Sequence, residues 1–209
     1  ARVDGPEMPG ADGSALPYVE LLHKAGSVEQ KRTRKTLLVE EPMVFRKDGA
    51  EIVVLPPSGA GLHVRYLPEY PAGVDATPVG FDTASGDFAA EIAPARTFVV
   101  AADIEKLLAA GLGKGATADN TLVLGASSVP EMRLEREPTR HKILDLLGDF
   151  ALLGADLHAD VIASRSGHGL NQDAVRALRE MLEERESGAP ASDSGYNITD
   201  VMRLLPHRY

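Results

Sequence analysis

His141, Asp145 and Asp149 follow one another at spacings of four. On an α-helix that spacing stacks three side chains along one stripe. An imidazole and a carboxylate one turn apart can share a divalent cation, and zinc accepts both ligand types at about 2.0–2.2 Å. The second carboxylate, a further turn on, is suited to orienting a nearby imidazole. Ser166-Gly167-His168-Gly169-Leu170-Asn171, a glycine-flanked loop just before a helix, offers one. The element that must carry the stripe starts near Arg140, with Leu144, Leu147, Leu152 and Leu153 expected to make apolar contacts on neighbouring faces. A His-x-x-x-Asp pair alone is more often an exposed polar face than a metal site.

Composition narrows the setting. The 209 residues allow one or two domains, and 44% hydrophobic with 25% charged residues describes an ordinary globular chain. A net charge of −9 argues against a nucleic-acid surface, and Lys31-Arg32-Thr33-Arg34-Lys35 reads as a solvated cluster. With no cysteine there is no disulfide framework and no thiolate metal site, so any metal falls to His and carboxylates. No signal peptide and no long apolar run is visible, so neither export nor membrane insertion is expected, and the cytoplasm is the expected location.

The elements around the stripe follow from periodicity and breakers. Asp12-Gly13-Ser14 opens a helix with Ser14 as N-cap, Pro17 in the first turn, Tyr18, Val19, Leu21 and Leu22 as its apolar residues, and Gly26 as its end. From Thr36 the pattern turns to period two. Residues 37–39, 42–46, 51–55 and 62–66 read as strands of an antiparallel meander, continued by 79–82 and 88–92. Residues 103–110 read as a helix with Ile104, Leu107 and Leu108 inward, and 121–124 as another strand. Gly111-Leu112-Gly113-Lys114-Gly115-Ala116-Thr117 is glycine-rich but lacks the Lys-Ser/Thr of a phosphate loop. Residues 159–164 read as a strand leading into the His168 loop, and Asn171 as the cap of a helix over 172–186 whose Val175, Leu178 and Leu182 face the core. His23, His63 and His158 read as surface or structural residues, His158 in the turn after the central helix.

HKILDLLGD (141–149) followed by SGHGLN (166–171) resembles the HKxxDxxGD helix and SGHxLN loop of the zinc-dependent UDP-3-O-acyl-N-acetylglucosamine deacetylases of lipid A synthesis. Ala95-Arg96-Thr97-Phe98 is similar to that family's ARTF segment, and ADGSALPYVELL (11–22) to the helix closing its first domain. The resemblance implies an α+β fold of two-layer helix-on-sheet domains, with the active site between domains and the first domain incomplete here. It implies Zn2+ as cofactor, with His141 and Asp145 as metal ligands. His168, held by Asp149, is implied as the acid beside the leaving amine, Thr97 as donor to the oxyanion, and Lys142 and Phe98 as substrate contacts. UDP-3-O-acyl-N-acetylglucosamine is then the substrate. It places the glycine-rich 111–117 turn beside an acyl chain. Glu69-Tyr70-Pro71 is only a weak counterpart of the family's uridine-binding pair.

In the family the third zinc ligand and the general base come from a Glu-His pair upstream of the 11–22 segment. The chain, starting at Ala1 without Met, reads as part of a longer protein, and by itself is expected to hold zinc weakly and to lack turnover. Residues 1–34 read as the end of a first domain, 35–187 as a second and 188–195 as a linker. Residues 196–209, with Leu204-Leu205-Pro206-His207-Arg208-Tyr209, resemble the start of 3-hydroxyacyl-acyl-carrier-protein dehydratases. That segment points to a bifunctional parent, to acyl carrier protein as a partner and to oligomerisation through the dehydratase part; His207 is not a catalytic candidate. Two other classes stay open: a non-catalytic carbohydrate- or acyl-binding domain that kept the fold, and a different His/carboxylate metal hydrolase.

Overall fold

A computed structural model describes residues 4–5, 8–126 and 131–187. The expected linker and dehydratase-like start, His207 included, lie outside the described residues. The element order is α1 (Leu16–Ala25), β1 (Thr36–Leu38), β2 (Met43–Lys47), β3 (Ala50–Leu55), β4 (Leu62–Leu67), β5 (Val79–Asp82), α2 (Phe88–Glu91), β6 (Phe98–Val100), α3 (Ile104–Ala109), β7 (Leu122–Leu124), α4 (Glu137–Ala151), β8 (Asp156–Ser164) and α5 (His168–Ser187). The architecture is mixed α+β. Two compact units divide it: Ala1–Glu29 with Tyr70–Ala76 and Asp87–Leu144, and Gln30–Glu69 with Thr77–Gly86 and Asp145–Tyr209. Helix α4 starts in the first and ends in the second. No helix of the described residues is long and apolar enough to cross a membrane.

The second unit is a six-stranded sheet in the order β2-β3-β8-β4-β5, with β1 pairing the start of β8. This corrects the expected meander. β3 and β4 are not neighbours, because β8 lies between them, antiparallel to β3 and parallel to β4. A period-two pattern reports which face of a strand is buried and says nothing about which strand lies beside it. In β8 the buried face is Leu157, Ala159, Val161 and Ala163. His158 lies in this strand rather than in a turn, its Nδ1 3.4 Å from the Gly61 N–H. His63 is structural: it sits in register with Asp82 on one side and Asp160 on the other, 3.4 and 2.9 Å from their carboxylates. Helix α5 lies against β2 and β3 and buries Leu170, Ala174, Val175, Leu178 and Leu182. Each large apolar side chain so buried stabilises by about 1.5–3 kcal/mol.

The first unit holds a two-stranded parallel pair, β6 with β7, and its buried apolar residues include Ile92, Ala93, Ala95, Leu122, Leu124 and Ile143. Residues 88–92, expected as a strand, begin with α2, because Asp87 accepts the Ala90 N–H and Glu91 accepts the Asp87 N–H in return. Helix α3 buries no residue and leaves Leu108 exposed, since six residues present only a narrow inward stripe. Leu21 and Leu22 of α1 are exposed as well. On α4 the buried apolar stripe is Ile143, Leu146 and Phe150; in the turn just after it Leu153 is buried and Leu152 is exposed.

The Asp12-Gly13-Ser14 turn does more than cap. Ser14 donates its hydroxyl and N–H to Asp12, and Arg133 pairs with the same carboxylate at 2.5 Å. The residue flanking α1 is Ala15, whose side chain cannot cap. Gly13 has φ +81° and lies against the Asn120 main chain, and its carbonyl accepts the Thr97 N–H at 2.7 Å. A Cβ at Gly13 would stand 1.8 Å from the Asn120 oxygen. Gly13→Ala should therefore lower stability by more than ~2 kcal/mol, since the left-handed backbone alone costs about 1–2 kcal/mol. A urea denaturation midpoint equal to wild type would contradict this.

Glu137, the first residue of α4, has no exposure to water. Burial pushes its carboxyl up, but hydrogen bonds from the Arg96 side chain, the Arg96 N–H and the Arg133 N–H outweigh that and hold it below the usual range. A depressed carboxylate stabilises the fold above its unfolded value and loses that contribution as pH falls through the folded one. Stability measured by urea from neutral to acid pH should fall less steeply in Glu137→Gln than in wild type.

Candidate functional site

Helix α4 places His141, Asp145 and Asp149 at successive turns, as a continuous helix must. Pro138 in its second position suits a helix start, where a missing N–H removes no intrahelical bond.

In the first unit, His141 is half-buried and its Nδ1 lies 2.9 Å from the Ala95 carbonyl oxygen. A carbonyl only accepts, so Nδ1 carries the proton. In the neutral ring the lone pair is then on Nε2. This is the arrangement of a metal-ligating histidine, which donates its other ring N–H to a carbonyl or carboxylate that fixes tautomer and orientation. The Phe98 ring meets His141 edge-on at 6.4 Å, and Tyr70 meets Phe98 edge-on at 5.6 Å. The Tyr70 hydroxyl lies 3.3 Å from the Thr139 hydroxyl oxygen on α4. Thr97, just before β6, is fixed through its main chain by Gly13 and by the Leu122 N–H. Lys142, next along α4, is half-buried.

In the second unit, Asp149 is only 8% exposed and its Oδ2 accepts from two donors, His168 Nδ1 and Asn171 Nδ2, each at 2.8 Å. His168 begins α5, and its side chain is 65% exposed. The buried carboxylate thus holds one edge of a ring whose remainder is open to solvent. Asp145, half-buried, stands between this pair and His141 along α4.

Asn171 is a correction. It does not cap a helix over 172–186, since α5 already starts at His168 and Asn171 lies buried inside its first turn. Its amide instead provides a donor that desolvated Asp149 needs. Glu137 does not stand out in the sequence as a site residue. The signal it does carry there is its place one turn ahead of His141 on the same stripe.

A zinc ion at α4 would take His141 Nε2 and the Asp145 carboxylate, and the tautomer fits that use. Among the described residues no group of three or more His, Asp or Glu is placed to hold a metal.

The α+β chain thus carries a helix-borne histidine and carboxylates, one of which holds a second, exposed histidine. The chain belongs to the LpxC family, UDP-3-O-acyl N-acetylglycosamine deacetylase, whose pattern matches residues 1–180. It is 41% identical over 185 residues to the UDP-3-O-acyl-N-acetylglucosamine deacetylase of Anaeromyxobacter sp. (strain Fw109-5), covering 85% of this chain and 59% of that protein. With the enzyme of the same name from Syntrophotalea carbinolica it shares 35% over 204 residues, 94% of this chain and 65% of the relative. It is 32% identical over 243 aligned positions to the "Bifunctional enzyme LpxC/FabZ" of Bacteroides thetaiotaomicron, covering all of this chain and 52% of that protein. The chain spans between half and two thirds of the length of these relatives.

The shared Asp149 oxygen makes a direct prediction. Asn171→Ala removes a donor from a buried carboxylate and should cost about 1–3 kcal/mol in urea denaturation. Asn171→Asp should cost more, because it sets a second carboxylate against the first. Equal stability of the two variants would contradict the hydrogen bond.

Proposed function

We propose that the protein catalyses zinc-dependent hydrolysis of the N-acetyl group of UDP-3-O-(3-hydroxyacyl)-N-acetylglucosamine, releasing acetate, in lipid A synthesis. The observation that carries the reading is the Asp149–His168 pair at 2.8 Å on the family's two motifs. Bound zinc would lower the pKa of a coordinated water toward ~7 and polarise the amide carbonyl. Water adds to that carbonyl carbon as it gives a proton to a general base, which the family resemblance puts upstream of residues 11–22; the carbon–nitrogen bond breaks, and the nitrogen must receive a proton to leave as an amine. His168 is the donor of that proton. Asp149 accepts from Nδ1 and so directs Nε2, on the exposed side of the ring, toward the leaving nitrogen. Asn171 keeps Asp149 in place while the proton moves.

Thr97 lies in a segment fixed through main-chain hydrogen bonds, which suits a hydroxyl that must meet a developing oxyanion without rearranging. Phe98, braced edge-on by Tyr70, offers an apolar ring beside His141 for the sugar, and Lys142 a cation for the substrate. Residues 188–195 act as a linker and 196–209 as the beginning of a 3-hydroxyacyl-acyl-carrier-protein dehydratase part, through which acyl carrier protein and oligomerisation enter. The match of the whole of this chain to 52% of the length of proteins named bifunctional supports that part of the proposal.

The test uses the complete gene product. Wild type should release acetate from UDP-3-O-acyl-N-acetylglucosamine, and His168→Ala should lower turnover by about 10²–10⁴-fold, the usual worth of general acid catalysis, at unchanged zinc content. Loss of zinc with unchanged activity per zinc would make His168 a ligand. A zinc-loaded wild type that releases no acetate would remove the proposed substrate.

A further inference from the structure

We propose that Glu137 is a positioning residue for His141, acting through the single peptide group between Ala95 and Arg96. The inference rests on the reading of His141 as a metal ligand. That peptide is gripped at both ends by residues one turn apart on α4. Its carbonyl, from Ala95, accepts the His141 Nδ1–H at 2.9 Å, and its N–H, from Arg96, donates to Glu137 Oε1 at 2.9 Å. A peptide group is planar and rigid, so fixing its N–H fixes the direction of its carbonyl. Glu137 thereby sets which imidazole nitrogen carries the proton, and so which one presents its lone pair.

The grip is strong because Glu137 has nowhere else to go. Its side chain is wholly buried, and Arg96 closes on it with a fork, Nε to Oε1 at 2.8 Å and Nη2 to Oε2 at 3.1 Å. The Arg133 N–H donates to Oε2 at 2.6 Å, so each carboxylate oxygen accepts two hydrogen bonds. Every partner is a donor. An amide in place of the carboxylate would turn an NH2 group against two of them, and an alanine would release the Arg96 N–H altogether. Arg96 Nη2 also donates to the Glu131 carbonyl at 2.6 Å, which ties the fork to the main chain. Metal-ligand histidines depend on such outer partners, whose loss typically costs about 10–100-fold in metal affinity.

Two readouts on the complete gene product test this. The first is the imidazole nitrogen-15 spectrum of His141 in metal-free protein. Wild type should show a single tautomer protonated at Nδ1, whereas Glu137→Ala and Glu137→Gln should populate the Nε2-protonated form. The second is the zinc dissociation constant, expected to weaken by about 10–100-fold in both variants and to stay unchanged in Glu135→Ala, whose side chain is exposed. Folding is checked by far-UV circular dichroism, with a stabilising osmolyte where needed. A folded variant that keeps the wild-type tautomer overturns the proposal. If both variants fail to fold even in osmolyte, Glu137 is a residue of the fold and the proposal falls. A wild type that binds no zinc removes the metal reading alone, because the tautomer is read without metal.

Discussion

A carboxylate withdrawn from water loses several kcal/mol of hydration unless hydrogen-bond donors replace it. Helix α4 meets that demand twice. Glu137 at its start is surrounded by Arg96 and the Arg133 N–H, and Asp149 near its end by His168 and Asn171. These four donor residues come from several segments of the chain, so satisfying the buried charge dictates where those segments must lie. Replacing such a pair with apolar residues can be neutral for stability, but removing one partner strands a charge.

The same constraint connects packing to chemistry. Because Arg96 is bound to Glu137, the adjoining carbonyl of Ala95 meets His141, and Thr97 follows on a fixed main chain. Because Asp149 is shielded while His168 is largely exposed, the ring is oriented by its buried edge and remains accessible at the other. Rigid support beneath an exposed side chain fixes its place in advance and lowers the cost of ordering it later. The sheet of the second unit contributes by carrying β8 directly into the turn before His168; there the Tyr66 hydroxyl donates to the Ser166 carbonyl at 2.7 Å and anchors the turn.

Membership of the deacetylase family rests on a family match over residues 1–180 and on relatives such as the one 41% identical over 185 residues, and the structure adds what similarity does not state. The lysine and the apolar residues of HKILDLLGD differ in their roles: Ile143 and Leu146 are buried, as is Phe150 just beyond, while Lys142 and Leu147 are intermediate. Asn171 closes the second motif as a buried donor to the last aspartate of the first.

The helix-period stripe of His141, Asp145 and Asp149 and the apolar alternation of β4 and β5 are legible directly, because both are local and depend only on side-chain spacing along one element. Helix α2 reads as a strand in the sequence, yet its Asp87 cap outweighs a short apolar run. The insertion of β8 between β3 and β4 is not legible, because ladder hydrogen bonds join main-chain groups that are the same in every residue. The role of Asn171 and the burial of Glu137 also lie beyond the sequence. By type and spacing alone, an Asn before a helix is a cap and a Glu at a helix start is a favourable surface charge. By itself, then, the sequence determined the residues available for chemistry and their order along α4. Only tertiary structure decided which carboxylates leave water, and their need for donors then determined how His141 and His168 are held.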